Sequence, residues 1–253
     1  MKLHKYLEFK ESDLDPVKSF HIQDELNSKI WEKFELDQKV REDLLKIGED
    51  FYGSTDLEAD VIDIVLCGSL CNYNWSEKYS DYDLHIIINY DDIDDNLELV
   101  SKLCDLSKKQ WNQLHDIQIK GYDVEVAIQN EIDLKTAMKS GRMGGVYSLM
   151  NDKWLKKPEK VDFEPDESLI AEKAKTIMLE VDDIIEISDE SDYDELKARI
   201  KKVWEKIKKV RERALEEEGE FGIGNLVFKL LRRNNYLGKI MDLKRESYDK
   251  QFN

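Results

Sequence analysis

The sequence predicts an α+β fold in which a small mixed sheet is covered on one face by helices and followed by a purely helical region. Three observations predict it. Three short β-branched stretches, 61–67, 82–89 and 121–129, have strand length, and the last alternates apolar and polar residues strictly. Helix-like spacings interleave with them, giving the order strand, short helix, strand, helix, strand. Beyond residue 156 the apolar pattern is helical throughout.

In chain order, the apolar residues from Asp24 to Phe51 recur at helical spacing and predict two helices broken near "ELDQK". "VIDIVLC" and "YDLHIIIN" are the first two strands. Leu97, Val100, Leu103, Cys104, Leu106, Trp111 and Leu114 mark a helix before the third strand, "GYDVEVAIQ". Residues 140–155 hold a glycine cluster and read as a loop running into a packed segment. "KKPEKVDFEPDES" contains two of the three prolines and little that can build a core, so the domain boundary is placed there. Three helices are expected after it, over 168–187, 192–217 and 225–246, as a bundle. The predicted domains are an N-terminal helical lead-in (1–55), a catalytic core (56–155) and a C-terminal helical domain (156–253).

Hydrophobic residues make up 41% and charged residues 38% of the 253 positions, and the apolar ones fall in periodic segments, as a folded chain requires. The start, "MKLHKYLEFKESD", has no signal-like apolar core, and no stretch reaches the roughly 18 apolar residues of a membrane span, so a cytoplasmic location is expected. Three cysteines, Cys67, Cys71 and Cys104, fit neither a disulfide framework nor a zinc pattern, and the four histidines are scattered. A net charge of −17 repels phosphate backbones and argues against a protein that coats nucleic acid in bulk.

Chemistry concentrates in "LCGSLCNYNWSEKYSDYDLHIII", Leu66 to Ile88. On a strand, Asp81, Asp83 and His85 share one face while Tyr82, Leu84, Ile86 and Ile88 take the other. Two carboxylates on one face repel unless a cation sits between them, and magnesium, with its preference for hard oxygen ligands, suits them. Gly68 ends a strand, and Ser69 opens the following turn, where backbone amides and a hydroxyl can meet an anion. On the third strand Asp123, Glu125 and Ala127 share a face, so Glu125 completes a carboxylate triad if that strand adjoins the second.

"GS", "SDYDLHIII" and the later "VEVAI" resemble the DNA polymerase β-like nucleotidyltransferase superfamily, whose pattern is Gly-Ser, a spacer, Asp-h-Asp, and a separate acid between apolar residues. Within it, "KIWEKFELDQKVREDLLKIGEDF" and "GVYSLMNDKWLKKP" are similar to segments of nucleotidyltransferases of large bacteriophages, which would place the chain in the host cytoplasm. The resemblance implies a palm-like mixed sheet, a nucleoside triphosphate substrate (ATP among them), Mg2+ or Mn2+, and transfer of a nucleoside monophosphate to an acceptor hydroxyl on a small molecule, a protein or a tRNA-like RNA. It also implies roles for residues: Asp81 and Asp83 bind both metals, Glu125 binds the metal that activates the acceptor, and Gly68 and Ser69 hold the triphosphate. Tyr73 stands where many members have a second glycine.

Context separates this reading from chance. Ser191 to Asp194 repeats "SDYD", but with no strand or Gly-Ser before it, and reads as a helix cap. Asp123 is the alternative to Glu125, and His85 reads as a core or rim histidine. Arg142 reads as part of a surface loop, Tyr147 and Trp154 as packing residues, and "KLLRRNNY" as a polar helix end or a nucleotide contact. Residues 197–213 carry nine Lys or Arg against two Glu, as a solvated helix face or a phosphate contact. The rival to an enzyme is a non-catalytic nucleotide-binding or antitoxin-like protein that keeps the fold.

Overall fold

The computed structural model describes residues 17–188 and 192–252. Residues 1–16, the front of the expected helical lead-in, and Ser191 of the second "SDYD" lie outside the described residues. The chain divides into two compact units, Ile22–Asp162 and a second made of Phe163–Asn253 with the N-terminal stretch up to His21.

The first unit begins with a departure from the expected helices. Residues 24–37 form no helix; they fold into a loop and a short hairpin of β1 (Trp31–Glu32) and β2 (Glu35–Leu36), turned through Lys33 at φ 58°. Leu26, Ile30, Trp31 and Leu36 are buried as a helix stripe would be, but side-chain hydrogen bonds hold the segment down instead: Asn27 Nδ2 donates to Tyr122 Oη at 2.6 Å and Trp31 Nε1 to the Leu70 carbonyl at 2.7 Å. The expected second helix is present as α1 (Gln38–Gly53), capped by Asp37, whose side chain accepts from the Val40 amide at 3.0 Å.

The expected three strands are β3 (Asp63–Cys67), β4 (Tyr82–Ile88) and β6 (Tyr122–Asn130). Helix α2 (Leu97–Leu114) crosses from β4 to β6, which run parallel, as such a connection requires. Three more strands enlarge the sheet: β5 (Gln118–Ile119), β7 (Val146–Ser148) and β8 (Lys153–Lys156), in the order β5-β6-β4-β3-β7-β8. All neighbours except β4 and β6 are antiparallel. Beside β6, the Asn112 side chain of α2 bonds both the amide and the carbonyl of Val126, at 3.2 and 3.3 Å, in the manner of a further strand.

Period-two alternation sorts the strand residues between two cores. Ile64, Leu66, Tyr82, Leu84, Ile86, Ile88, Tyr122, Val126 and Ile128 pack with Val40, Leu44 and Phe51 of α1 and Val100 and Cys104 of α2. Burying each large side chain contributes about 1.5–3 kcal/mol, which makes this face the main source of the unit's stability. The other face is not bare: Val65, Cys67, Ile87 and Val146 pack against Leu134 and Met138 of α3 (Glu131–Lys139). Helices therefore lie on both faces, where the sequence pattern led us to expect one. The segment 140–155, read as a loop running into a packed segment, carries β7 and the start of β8 in its second half, and Gly145 serves packing: a Cβ there would stand 1.9 Å from the Cys71 carbonyl oxygen.

In the second unit, α4 (Glu167–Glu186) and α5 (Tyr193–Glu217) match the expected helices. The expected third helix is two, α6 (Ile223–Arg233) and α7 (Tyr236–Asp249), because Asn235 takes a left-handed conformation at φ 59° between them. The four helices share one apolar core, to which Val17 and Phe20 also belong. Asp192 caps α5 by accepting from the Asp194 amide at 2.9 Å, so the second "SDYD" is a helix start. The "KLLRRNNY" residues make internal contacts: Arg233 lies over the Phe20 ring and Tyr236 Oη donates to Asp182 at 2.8 Å.

Gly145→Ala is expected to destabilise the first unit by about 1–3 kcal/mol, since the new methyl meets a backbone oxygen. Gly53→Ala, at the end of α1 with nothing within 4 Å, is expected to be neutral or to stabilise by about 0.5–1 kcal/mol. Thermal unfolding of both variants checks the pair; equal midpoints would contradict the packing argument.

Candidate metal centre

One end of the sheet gathers the C-terminal end of β3 and the N-terminal ends of β4 and β6. The registers are direct: Cys67 pairs with Asp83 across β3 and β4, and Asp83 with Glu125 across β4 and β6. Asp83 and Glu125 therefore project from the same face at adjacent positions, and Asp81 joins them from just before β4. One ligand oxygen from each of Asp81, Asp83 and Glu125 lies within 4.8 Å of the others. Asp81 and Asp83 are half-buried and Glu125 is exposed.

Asp123, the alternative third acid, is held elsewhere, accepting from Gln118 Nε2 at 2.6 Å on the β5 side. His85 also stays outside the cluster: its Nδ1 lies 2.7 Å from Gln129 Oε1 on the neighbouring strand. Burial holds the imidazole below its ordinary pKa, opposed by the Gln129 hydrogen bond and reinforced by the Lys108 ammonium.

Gly68 sits against the acids at φ 76°, a conformation that favours glycine. A Cβ there would fall 1.7 Å from Asp83 Oδ2, so the absence of a side chain is what admits the carboxylate. The turn that follows is a single 3-10 turn, Ser69–Cys71, in place of a longer helix, and the Cys71 amide closes it on the Gly68 carbonyl at 3.2 Å. Neither Ser69 nor Leu70 has an acceptor for its amide within the turn. The Ser69 hydroxyl is 2.7 Å from the Ser80 hydroxyl, whose oxygen also accepts from the Ser76 amide at 2.9 Å. Ser69 thus ties the start of the Gly-Ser turn to the residue before Asp81. Tyr73 packs at the edge of the main core, and its carbonyl accepts from the Gln23 amide at 2.7 Å.

Two residues near this end of the sheet escaped sequence reasoning. Ser80 carries the link to Ser69, and only its place before Asp81 could have marked it. Lys108, one turn beyond buried Cys104 on α2, acts electrostatically on His85 and on Cys67. Burial pushes the Cys67 thiol well up, and Asp83 adds to that while Lys108 opposes it. Cys67, Cys71 and Cys104 are all free and buried. Tyr147 and Trp154 pack, with Trp154 stacked on Trp31 at 4.7 Å, and Arg142 is exposed on the loop after α3.

Three carboxylates converging at a partly exposed strand end form a hard-oxygen donor set that fits magnesium or manganese. Oxygens sharing one magnesium at about 2.1 Å lie within about 4 Å of each other, so small side-chain rotations let the trio share an ion. Among the described residues this is a single cluster of metal-ligating type, and no helix among them is long and apolar enough to cross a membrane.

No protein-family model matches the chain, and no curated protein matches it. Among solved structures, the STING-associated CdnE c-di-GMP synthase from Capnocytophaga granulosa matches over 85% of this chain and 84% of its own, at 11% identity and a TM-score of 0.26. A likeness that low has no weight beside the geometry of the acids.

Gly68→Ala is expected to displace the Asp83 carboxylate and weaken Mn2+ binding by about tenfold or more, with far-UV circular dichroism unchanged. Titration of Mn2+ followed by electron paramagnetic resonance checks it; wild-type affinity in the variant would show that Gly68 does not shape the site.

Proposed function

We propose that this chain is a nucleotidyltransferase that moves a nucleoside monophosphate from a nucleoside triphosphate to an acceptor hydroxyl, with divalent metal and release of pyrophosphate. The observation that carries the reading is the convergence of Asp81, Asp83 and Glu125 from two parallel neighbouring strands beside a Gly-Ser turn.

Asp81 and Asp83 would hold two ions and Glu125 the one nearer the acceptor. Gly68 lets the Asp83 carboxylate sit against the backbone at the start of the turn, and the turn that Ser69 opens would offer its amides and hydroxyl to the triphosphate. Ser69 and Ser80 fix the turn relative to Asp81, so that the phosphates and the metal ligands keep one geometry. The acceptor oxygen forms a bond to the α-phosphorus as the bond to the pyrophosphate oxygen breaks, and the hydroxyl proton is lost to solvent. The ions, when bound, stabilise the attacking and leaving oxygens of this in-line displacement.

The test incubates the protein with each α-labelled nucleoside triphosphate, Mg2+ or Mn2+ and fractionated cell extract, following label and pyrophosphate. Pyrophosphate release is expected from wild type, and Asp83→Ala and Glu125→Gln are each expected to lower it by about a thousandfold or more while remaining folded. Undiminished release in Asp83→Ala, or none from wild type with every triphosphate, would overturn the proposal.

A further inference from the structure

The second unit contains a cavity of about 640 Å³ between α5 and α7. Its floor is apolar, with buried Ile200 and Ile240, and half-buried Trp204 stands in its wall. Tyr193 and Tyr248 close one end, their rings 6.5 Å apart. Around this apolar floor stand Lys197, Lys201 and Lys208 from α5 and Lys244 and Arg245 from α7, against two acids, Glu205 and Asp249.

That charge is unusual for a chain of net −17, and only part of it is neutralised locally: Lys201 pairs with Glu205 at 3.8 Å and Arg245 with Asp242 at 3.0 Å. Among the described residues no carboxylate pairs with Lys197, Lys208 or Lys244. The basic run of α5 therefore divides into two sets. Arg199 pairs with Glu195, Lys206 with Glu180 and Arg213 with Glu217, while Arg211 lies over Phe228 at 4.1 Å. Lys197 and Lys208, spaced to share one helix face, are left to line the cavity with Lys244 of α7, while Lys201 and Arg245 line it as members of ion pairs.

Uncompensated cations around an apolar, aromatic-walled groove call for an anionic ligand with flat apolar parts. An acidic peptide would satisfy the lysines, but the ring of Trp204 and the two tyrosines favour a ligand that stacks. Each nucleic-acid base offers a π-face, and each linkage offers a phosphate at regular spacing. Lys197 and Lys208 are about 16 Å apart along the helix, room for about three to five nucleotides. We infer that this groove binds a short single-stranded nucleic acid, its phosphates on the α5 and α7 cations and a base on Trp204. The inference rests on the second unit alone and on no reading of the acid triad.

Fluorescence anisotropy of the whole chain with labelled ten-nucleotide oligo(U) and oligo(dT), over a range of salt, tests it. Wild type is expected to bind with a log–log salt slope of about −2, as about three neutralised phosphates require. Lys197→Glu with Lys208→Glu is expected to weaken binding more than about tenfold and to flatten the slope. Trp204→Ala is expected to weaken it about tenfold at an unchanged slope. The control, Lys202→Glu with Lys209→Glu, makes the same change of charge on the same helix away from the groove, and is expected to stay within about twofold of wild type. Circular dichroism confirms that each variant is folded. Absence of binding at low salt, equal loss in the control, or preference of the groove for an acidic amphipathic peptide over both oligonucleotides would overturn the inference.

Discussion

The parallel pairing of β4 with β6 is the constraint on which the candidate site depends. Asp83 lies beside Glu125 only in that register, and a slip of one residue would carry Glu125 to the face occupied by the main core. The register is fixed from the apolar side, not by the acids. Tyr122, Val126 and Ile128 fill the same core as Tyr82, Leu84 and Ile86, the Tyr122 hydroxyl accepts from Asn27, and Asn112 grips the backbone of Val126. Hydrophobic packing on one face thereby aligns charge on the other.

This division of labour lets like charges gather without unfolding the sheet. The larger core and α1 lie behind the acids, α3 covers a different part of the acidic face, and Glu125 keeps access to solvent. Gly68 completes the arrangement by leaving space for Asp83. Asp83 on β4, and Asp81 just before it, are thus compatible with the strand's burial because alternation gives them the less buried face of a strand whose other side chains carry the packing.

Much of this was legible in the sequence. The strands around Asp81, Asp83 and Glu125 follow directly from alternation, and the internal repeat of "SDYD" separated a strand context from a helix cap. Where reading failed, the same residues were buried by a different backbone. Leu26, Ile30 and Trp31 are core residues in a loop and hairpin whose hydrogen bonds to Tyr122 and Leu70 come from far along the chain. Helix α6 was not separated from α7, because a left-handed Asn235 interrupts the backbone without disturbing the apolar spacing. Strands β7 and β8 are only three and four residues long, too short for a period to show. Asp81, Asp83 and Glu125 were named together from the sequence, with Asp123 as the alternative third acid; what the sequence lacked was the register that sets Glu125, and not Asp123, opposite Asp83.

Val17 and Phe20 are buried with residues from α4 to α7, although more than 140 positions separate them from the start of that helical region. The first unit is thus inserted within the second, and this sets an order of assembly on the ribosome. The sheet and its helices emerge complete and can collapse while later codons are still being read, whereas Phe20 must wait for nearly the whole polypeptide before its apolar partners exist. During that interval its ring is an exposed greasy spot on the nascent product, which makes the helical region the late and vulnerable step of biogenesis.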